Sequence, residues 1–363
     1  MHKMSTIQTI DKRQSSVITA MRFPLIVLVL VAHSAGATVD SFHWPLDGGG
    51  GYAFFSEMVS RHLCSIAVCW FYTFSGYYFF RNLQEGEFGW RWLQKKWKNR
   101  IHTLLVPYVI WNLIVVISSL LLAKLYDMLG IVPTVDPMGV VERGPLDWLV
   151  TGPADFPLYF MRDLMLMSLF APVFYVLEKR FPVLSLTFLA FFYFSCWSPA
   201  IPHYRAVFYF GLGAWFGIHK RNILSICRKV RIPAALLALI LLPTATALTG
   251  HPIHELIRRL FFPFGMITMM NLCDRWIDNE RVATRLTALA SSVFFIFAAH
   301  EVFILGWVKG AFLRVLGNSL TGMWVSYLFT PVVVLTICLI FYSVLKKITP
   351  KTLAFICGGR VIS

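Results

Sequence analysis

MRFPLIVLVLVAHS, residues 21–34, predicts a membrane helix. It is an apolar run with a cation near its start, Arg22, and an imidazole eleven residues later, His33. An α-helix turns once in about 3.6 residues and rises about 1.5 Å per residue, so these two residues share one face, about 16 Å apart. In a membrane helix, Arg22 then lies at an interface and His33 well inside the bilayer. An ionisable group at that depth is costly and indicates a functional site.

The same pair also has a purely structural interpretation. Arg22 would extend to the lipid headgroups, and His33 would only hydrogen-bond a neighbouring helix. Position within one helix does not separate the two interpretations. The depth of other ionisable residues is therefore needed.

Composition places the chain among polytopic membrane proteins with an all-α fold. Of the 363 residues, 57% are hydrophobic and only 14% are charged, whereas a soluble domain has about 25% charged residues. The net charge of +15 could indicate nucleic-acid binding. The basic residues, however, lie in short clusters between apolar runs, as expected for cytoplasmic loops. We therefore expect contact with membrane lipids and no nucleic-acid partner. The seven cysteines form no CxxC pair, so we predict neither a disulfide framework nor a metal site.

A membrane helix needs about 20 mostly apolar residues. On this criterion we predict a bundle of about ten transmembrane helices, over residues 19–39, 60–80, 103–125, 158–178, 182–198, 204–219, 232–249, 256–274, 287–308 and 322–345. The distribution of Lys and Arg favours an N-in/C-in orientation. Residues 1–363 are then a single membrane domain, with residues 1–18 as a cytoplasmic N-terminus and 346–363 as a cytoplasmic tail. Residues 126–157 are predicted to form an irregular outer cap.

In this topology, ionisable residues from five helices fall at one depth in the outer half of the bilayer. They are His33, Arg61–His62, Arg162–Asp163, Arg258–Arg259 and His300–Glu301. Structural ion pairs would not need to agree in depth. A neutral histidine beside a carboxylate can act as a general base on a hydroxyl group. This layer is therefore the predicted reaction site, with His33 at its centre.

A basic run lies on the predicted cytoplasmic side. It contains Lys95, Lys96, Lys98 and Arg100, which suit either a polyanionic ligand or lipid headgroups. Ser75 and Gly76 lie in the preceding helix. Small residues allow helices to approach closely, so we expect packing to be their main role.

Five motifs resemble the acyltransferase 3 family of integral membrane acyltransferases, in the order that the family has them and over nearly the whole chain. They are the R-x10-H spacing of Arg22 and His33, FYTFSGYYFFRN (71–82), KKWKNRIHTLLVPYVIWN (95–112), FPLYFMRDLMLMSLFAPVFY (156–175) and FFIFAAHEVFI (294–304). Two departures from the family pattern are visible. Arg100 is not followed by a second arginine three residues later, and Tyr159 stands where the family has tryptophan. The first leaves open which side chain completes the phosphate site.

The resemblance implies a ten-helix membrane O-acyltransferase in the bacterial inner membrane. Such an enzyme moves an acyl group, usually acetyl, from cytoplasmic acyl-CoA to a hydroxyl of a cell-envelope carbohydrate or glycolipid. Acetyl-CoA is then the expected donor. No fused SGNH hydrolase-like domain is evident. The protein is therefore expected to deliver the group directly or through a separate glycan-assembly or acyl-accepting partner.

The resemblance also implies roles for individual residues. His33 is the expected general base or acyl carrier, and the expected orienting residues are Asp163, His300 and Glu301. The cations expected to bind the donor phosphates are Arg22, Lys96 and Arg100. The residues expected at the acceptor or substrate are Arg162, Ser75 and Tyr159.

Two other functional classes also place ionisable residues at depth. A secondary transporter or proton-coupled carrier does so, although carriers often have paired broken helices, which the sequence does not show. A membrane receptor or assembly factor without chemistry would not depend on His33.

Overall fold

The computed structural model describes residues 2–35, 48–130, 142–199 and 201–360. Within these ranges the chain forms helices and no strand. The predicted all-α membrane bundle is thereby confirmed as a fold class. Residues 131–141 of the predicted outer cap lie outside the described residues.

The α-helices are numbered in chain order. They are α1 (His2–Ser34), α2 (Gly48–Ser56), α3 (Ile66–Phe80), α4 (Trp90–Arg100), α5 (Val106–Leu129), α6 (Gly144–Leu146), α7 (Tyr159–Leu169), α8 (Ala171–Arg180), α9 (Pro182–Phe194), α10 (Tyr204–Ile218), α11 (Ile223–Lys229), α12 (Arg231–Ala247), α13 (His254–Trp276), α14 (Glu280–Leu289), α15 (Val293–Ala299), α16 (Leu305–Leu316), α17 (Leu320–Ile348) and α18 (Pro350–Ile356). Short 3₁₀ turns cover Leu63–Ser65 and Phe156–Leu158. Wider π turns cover Glu57–His62, Ile101–Leu105, Asp147–Thr151 and His300–Ile304. Such π turns occur frequently at functional sites.

Among the described residues, five helical stretches are long and apolar enough to cross a membrane: Asp11–Ser34, Gly49–Phe80, Trp90–Leu129, His254–Trp276 and Leu320–Ile348. Three further candidates are bent helix pairs, Phe156–Leu169 with Ala171–Arg180, Ile223–Lys229 with Arg231–Ala247, and Glu280–Leu289 with Val293–Ala299, bent by 56°, 76° and 48°. The other two predicted spans correspond to α9 and α10, which are shorter than a full span. The sequence did not reveal these three bends. Because the structure contains broken helices, their expected absence no longer argues against a carrier.

Glycines set the distance between α3 and α10, which pack closely over their length. A methyl group on Gly76 would overlap the carbonyl oxygen of Phe210, and one on Gly213 would overlap that of Thr73. Gly217 similarly faces the carbonyl oxygen of Tyr77. The packing role expected for Gly76 is therefore what the structure has. This contact fixes α3, which carries Ser75.

An ion-pair cluster around Arg13 holds the N-terminal half of α1. Arg13 Nε donates to Asp274 Oδ1 at 2.9 Å, and Arg13 Nη2 donates to Asp278 Oδ1 at 2.6 Å. Arg228 Nε donates to the other oxygen of Asp274 at 2.6 Å. A carboxylate bound by two guanidinium groups has its charge compensated by directional hydrogen bonds. The cluster therefore joins α1, α11 and the end of α13.

Gly213→Ala should destabilise the protein, because the added methyl group meets backbone atoms that cannot move independently. Overpacking of this kind costs about 1–3 kcal/mol. Gly306→Ala is the matched control, since Gly306 is also helical and has no atom within 4 Å of the added carbon. Thermal unfolding in detergent should show a lower Tm for Gly213→Ala only. Equal Tm values for both variants would contradict the close packing.

Candidate active site

The centre of the site is a contact between the last turn of α1 and the π turn that follows α15. His33 Nδ1 lies 2.9 Å from Glu301 Oε1. The side chains are 23% and 27% exposed, so both face open space as well as each other. When the ring donates its Nδ1–H to the carboxylate, the lone pair of the neutral imidazole is on Nε2. The pair can therefore accept a proton at Nε2 while Glu301 stabilises the resulting imidazolium.

His300 lies against this pair and is fully buried. Its Nδ1 donates to the carbonyl oxygens of Ile296 and Phe297, at 3.0 and 2.8 Å. Its ring centroid is 5.3 Å from that of His33. Within the described part of the chain, Nε2 of His300 has no hydrogen-bond partner. The two rings thus bring two imidazole nitrogens and one carboxylate to one place.

The same three residues have the donor types and spacing of a metal site. One ligand atom each from His33, His300 and Glu301 lie within 4.8 Å of one another. A histidine–histidine–carboxylate set can bind zinc. A second set with the same composition, Glu57, His62 and His254, also meets this spacing. The expectation that the protein uses no metal therefore stays a prediction.

Lys309 fixes the end of α1. Its Nζ donates to the carbonyl oxygens of His33 and Ala35, at 2.5 and 3.0 Å. The last carbonyls of a helix have no partner within the helix, and a cation there also complements the helix dipole. Lys309 therefore holds the backbone that carries the His33 side chain.

Arg162 and Asp163 bind each other rather than His33. Arg162 Nη2 donates to Asp163 Oδ1 at 2.9 Å, and its Nη1 donates to the carbonyls of Val150 and Thr151. The second oxygen of Asp163 accepts from Tyr72 Oη at 3.3 Å and from the backbone N–H of His203 at 3.0 Å. The pair ties α7 to the preceding π turn. The structure thus places Glu301 and His300 at His33 and gives Asp163 other partners.

The remaining charges predicted for the outer layer form a separate network. Glu255 Oε1 accepts from Arg259 Nε at 2.6 Å, and Glu255 Oε2 accepts from Arg258 Nη2 at 2.5 Å. Nearby, the Nε2 atoms of His62 and His254 are 3.1 Å apart. The layer is therefore divided among several clusters.

Tyr159 lies one ring away from His33. The ring of Phe156 meets His33 edge-on at 6.1 Å, and Tyr159 contacts the same ring at 5.7 Å. The hydroxyl of Tyr159 has no described contact with His33. The expected contact of Tyr159 with the acceptor stays a prediction.

A cavity of about 640 Å³ lies beside the middle of α1, where Arg22 lines it. Three arginines line it, Arg22 from α1, Arg100 from the end of α4 and Arg360 from the segment after α18. Arg100 Nη2 donates to Ser75 Oγ at 3.2 Å. Lys96 is not among the lining residues; its ammonium lies over the ring of Trp92, 5.0 Å from the centroid.

Aromatic side chains also line the cavity. Phe160 and Phe297 are among them, with ring centroids 5.8 Å apart. The carbonyl oxygen of Phe297 is one of the two that accept from His300 Nδ1. His33 does not line the cavity. Phe297 therefore belongs to the cavity wall and contacts the histidine cluster through its backbone.

Comparison with known proteins identifies the chemistry that such an arrangement serves. A family model described as "Acyltransferase domain" matches residues 16–343. The chain belongs to the acyltransferase 3 family. This acyltransferase is 25% identical over 318 residues to the Succinoglycan biosynthesis protein ExoH of Rhizobium meliloti (strain 1021), covering 83% of this chain and 81% of the relative. No solved structure matches it. Its apolar helices and its family make it an integral membrane enzyme.

Sequence reasoning missed three residues of this acyltransferase: Lys309, Asp155 and Arg360. Lys309 had a usable signal, since it is the one cation in the apolar stretch 305–313, and an isolated cation at membrane depth indicates function. Asp155 and Arg360 had none, because each lies in a polar segment where charge is ordinary.

Asp155 is a buried acid beside the active-site carboxylate. Its side chain is 2% exposed, and within the described ranges neither of its oxygens has a hydrogen-bond partner. Burial raises the pKa of Asp155 well above its usual range, and the negative charge of Glu301 raises this pKa further. A carboxyl whose pKa is raised by folding stabilises the protein at low pH, and this stability is lost as the pH rises through the folded pKa.

Asp155→Asn should therefore raise the Tm relative to wild type, by a larger margin at pH 8 than at pH 5. The amide keeps the shape and removes the charge that burial disfavours. We expect a difference on the order of a few degrees, measured by thermal unfolding in detergent. Asp127→Asn, at an exposed position, is the control. A Tm margin for Asp155→Asn that is equal at pH 5 and pH 8 would show that the side chain does not titrate in this range and would contradict the raised pKa.

Proposed function

We propose that this acyltransferase transfers an acetyl group from acetyl-CoA to a hydroxyl of a cell-envelope carbohydrate or glycolipid. The observation that carries the proposal is the arrangement along α1. Three arginines, one of them Arg22, line a cavity beside α1, and the His33–Glu301 pair lies about three turns further along the same helix. Guanidinium groups bind phosphate through charge-assisted, bidentate hydrogen bonds. A donor with phosphates at one end and a thioester at the other matches this polarity.

The acceptor class is supported by the relative. ExoH is named a succinoglycan biosynthesis protein, and a carbohydrate hydroxyl is the nucleophile that a His–Glu pair can activate. The open faces of His33 and Glu301 leave room for such a group. The bacterial inner membrane, with both termini in the cytoplasm, is the location that brings the arginine-lined cavity to cytoplasmic acyl-CoA.

In the proposed reaction, Nε2 of His33 takes the proton of the acceptor hydroxyl while the oxygen attacks the thioester carbonyl carbon. The carbon–oxygen bond forms and the carbon–sulfur bond breaks. The departing thiolate then takes the proton from the imidazolium, giving the ester and CoA. Glu301 stabilises the imidazolium, and Lys309 holds the end of α1 in place. Displacement of the Phe160 and Phe297 rings brings the thioester within reach of His33.

A two-step variant uses the same groups. Nε2 of His33 attacks the thioester carbonyl carbon and CoA departs as the thiolate. The acceptor oxygen then attacks the acyl-imidazole, the carbon–nitrogen bond breaks, and the hydroxyl proton goes to the thiolate. Trapping with labelled acetyl-CoA before the acceptor is added distinguishes the two. Label held on the protein supports the acyl carrier, and transfer without a labelled protein supports the general base.

His33→Ala should reduce transfer of labelled acetyl from acetyl-CoA in membranes by about 10²–10⁴-fold, the usual contribution of a general base. His251→Ala is the control, because His251 is exposed and hydrogen-bonds only within its own turn. The measurement is the rate of label incorporation into envelope carbohydrate and lipid fractions. Undiminished transfer by His33→Ala would exclude the catalytic role and favour a carrier or an assembly factor.

The orientation gives a separate prediction. Arg281 lies in the first turn of α14, and Asn318 follows α16; both are exposed. Cysteines introduced at these two positions should react with an impermeant thiol reagent from opposite sides of the membrane. Asn318→Cys should react in intact spheroplasts and Arg281→Cys only after lysis. Cys196→Ser provides the background, since Cys196 is the exposed cysteine of the seven. The reverse pattern would contradict the N-in/C-in orientation.

A further inference from the structure

The three arginines of the cavity are not compensated by acids. Neither Asp nor Glu lines the cavity in the described chain. By contrast, Arg162 is paired with Asp163 and Arg259 is paired with Glu255. Like charges gathered in one place are unfavourable without an anion.

Arg360 reaches this cavity because the segment after α17 is docked onto the bundle. Leu353 and Cys357 are buried. Trp111 Nε1 donates to the carbonyl oxygen of Ile356 at 3.1 Å. These contacts fix α18 against α5, which directly follows the π turn after Arg100.

Gly358 makes the closest approach in this docking. Its φ is +62°, in the left-handed region that favours glycine. A methyl group there would lie 3.0 Å from the carbonyl oxygen of His102, from Thr103 Cα and from Pro107 Cγ. The backbone at Gly358 therefore sits directly on the turn that follows Arg100.

The Arg360 side chain is itself held in place. Nη1 donates to the carbonyl oxygen of Cys357 at 3.1 Å. The guanidinium lies over the ring of Phe294, 4.3 Å from its centroid, and Phe294 also lines the cavity. A cation over an aromatic face is positioned without being neutralised. Its other donors remain available to a ligand in the cavity.

We propose that residues 350–360 form one wall of the donor site, and that Arg360 binds a phosphate group of acyl-CoA together with Arg22 and Arg100. The proposal rests on the proposed function, since it takes the same donor. It assigns to Arg360 a role in donor binding and none in the transfer step. Phosphate groups are the anions that a cluster of guanidinium groups recognises best.

The test measures the Kd for CoA itself, with purified protein in phosphatidylcholine nanodiscs. Arg360→Gln should weaken CoA binding by about tenfold or more, because a hydrogen bond between charged groups is lost. Arg360→Lys should recover part of the affinity. Gly358→Ala should also weaken binding, although it keeps all three arginines. Lys347→Gln, an exposed position just before this segment, should bind CoA as wild type does.

Kinetics then separate binding from a general structural defect. Arg360→Gln should raise the KM for acetyl-CoA and reach the wild-type transfer rate at saturating donor. An unchanged Kd and KM in Arg360→Gln would overturn this proposal while leaving the proposed function intact. A wild-type protein that binds no CoA would overturn both.

Anionic lipid headgroups carry the same phosphate chemistry, so a second set of nanodiscs includes phosphatidylglycerol. The Kd of the wild type for CoA should be the same in both membranes. If Arg360→Gln alters only the effect of phosphatidylglycerol and not CoA affinity in phosphatidylcholine, the segment is a lipid contact and the proposal fails.

Discussion

The 2.9 Å contact between His33 and Glu301 joins the two elements on which the site depends. Helix α1 carries His33 at one end of this contact and Arg22 three turns away at the cavity. The π turn after α15 carries Glu301 and His300 on one side and continues into the cavity wall through Phe297 and Phe294. Helix α1 therefore sets the distance between Arg22 and His33.

The π turn is the local device that brings two consecutive residues to this centre. Adjacent residues of a regular α-helix point about 100° apart, and a π turn widens the backbone so that both can face one cluster. Phe303, in the same turn, has a φ of +64°, a region that a bulky residue rarely adopts. The contact between Glu301 and His33, together with the hydrogen bonds from His300 Nδ1 to two backbone carbonyls, holds this strained turn in place.

The two ends of the site also differ in how their charge is compensated. At the reacting end, Glu301 accepts from His33 and lies near His300. At the cavity end, Arg22, Arg100 and Arg360 have no acidic partner among the described residues. In the proposed function, these positive charges are compensated only when an anionic donor binds. The phosphates of the donor would supply the missing charge and place its acyl end at Phe160 and Phe297.

Periodicity and hydropathy were sufficient to predict the helical membrane bundle, because apolar length is a property of each segment alone. They did not predict the bends at the three broken pairs, which depend on neighbouring helices. The pairing of His33 with Glu301 was within reach of a depth argument, since both lie in the same layer. The choice of Glu301 over Asp163 was not, because Asp163 is taken by Arg162, Tyr72 and the backbone of His203. Arg360 also could not be predicted from the sequence, because only the docking of α18 brings it to the cavity that Arg22 and Arg100 line.

In the proposed reaction His33 and Glu301 act as one unit, and a double-mutant cycle on acetyl transfer tests this coupling. The single variants His33→Ala and Glu301→Gln and the double variant are compared by their rates of label transfer at saturating acetyl-CoA. Glu301→Gln should lower the rate in the wild-type background and should have little further effect once His33 is alanine. Independent effects that multiply in the double variant would contradict it.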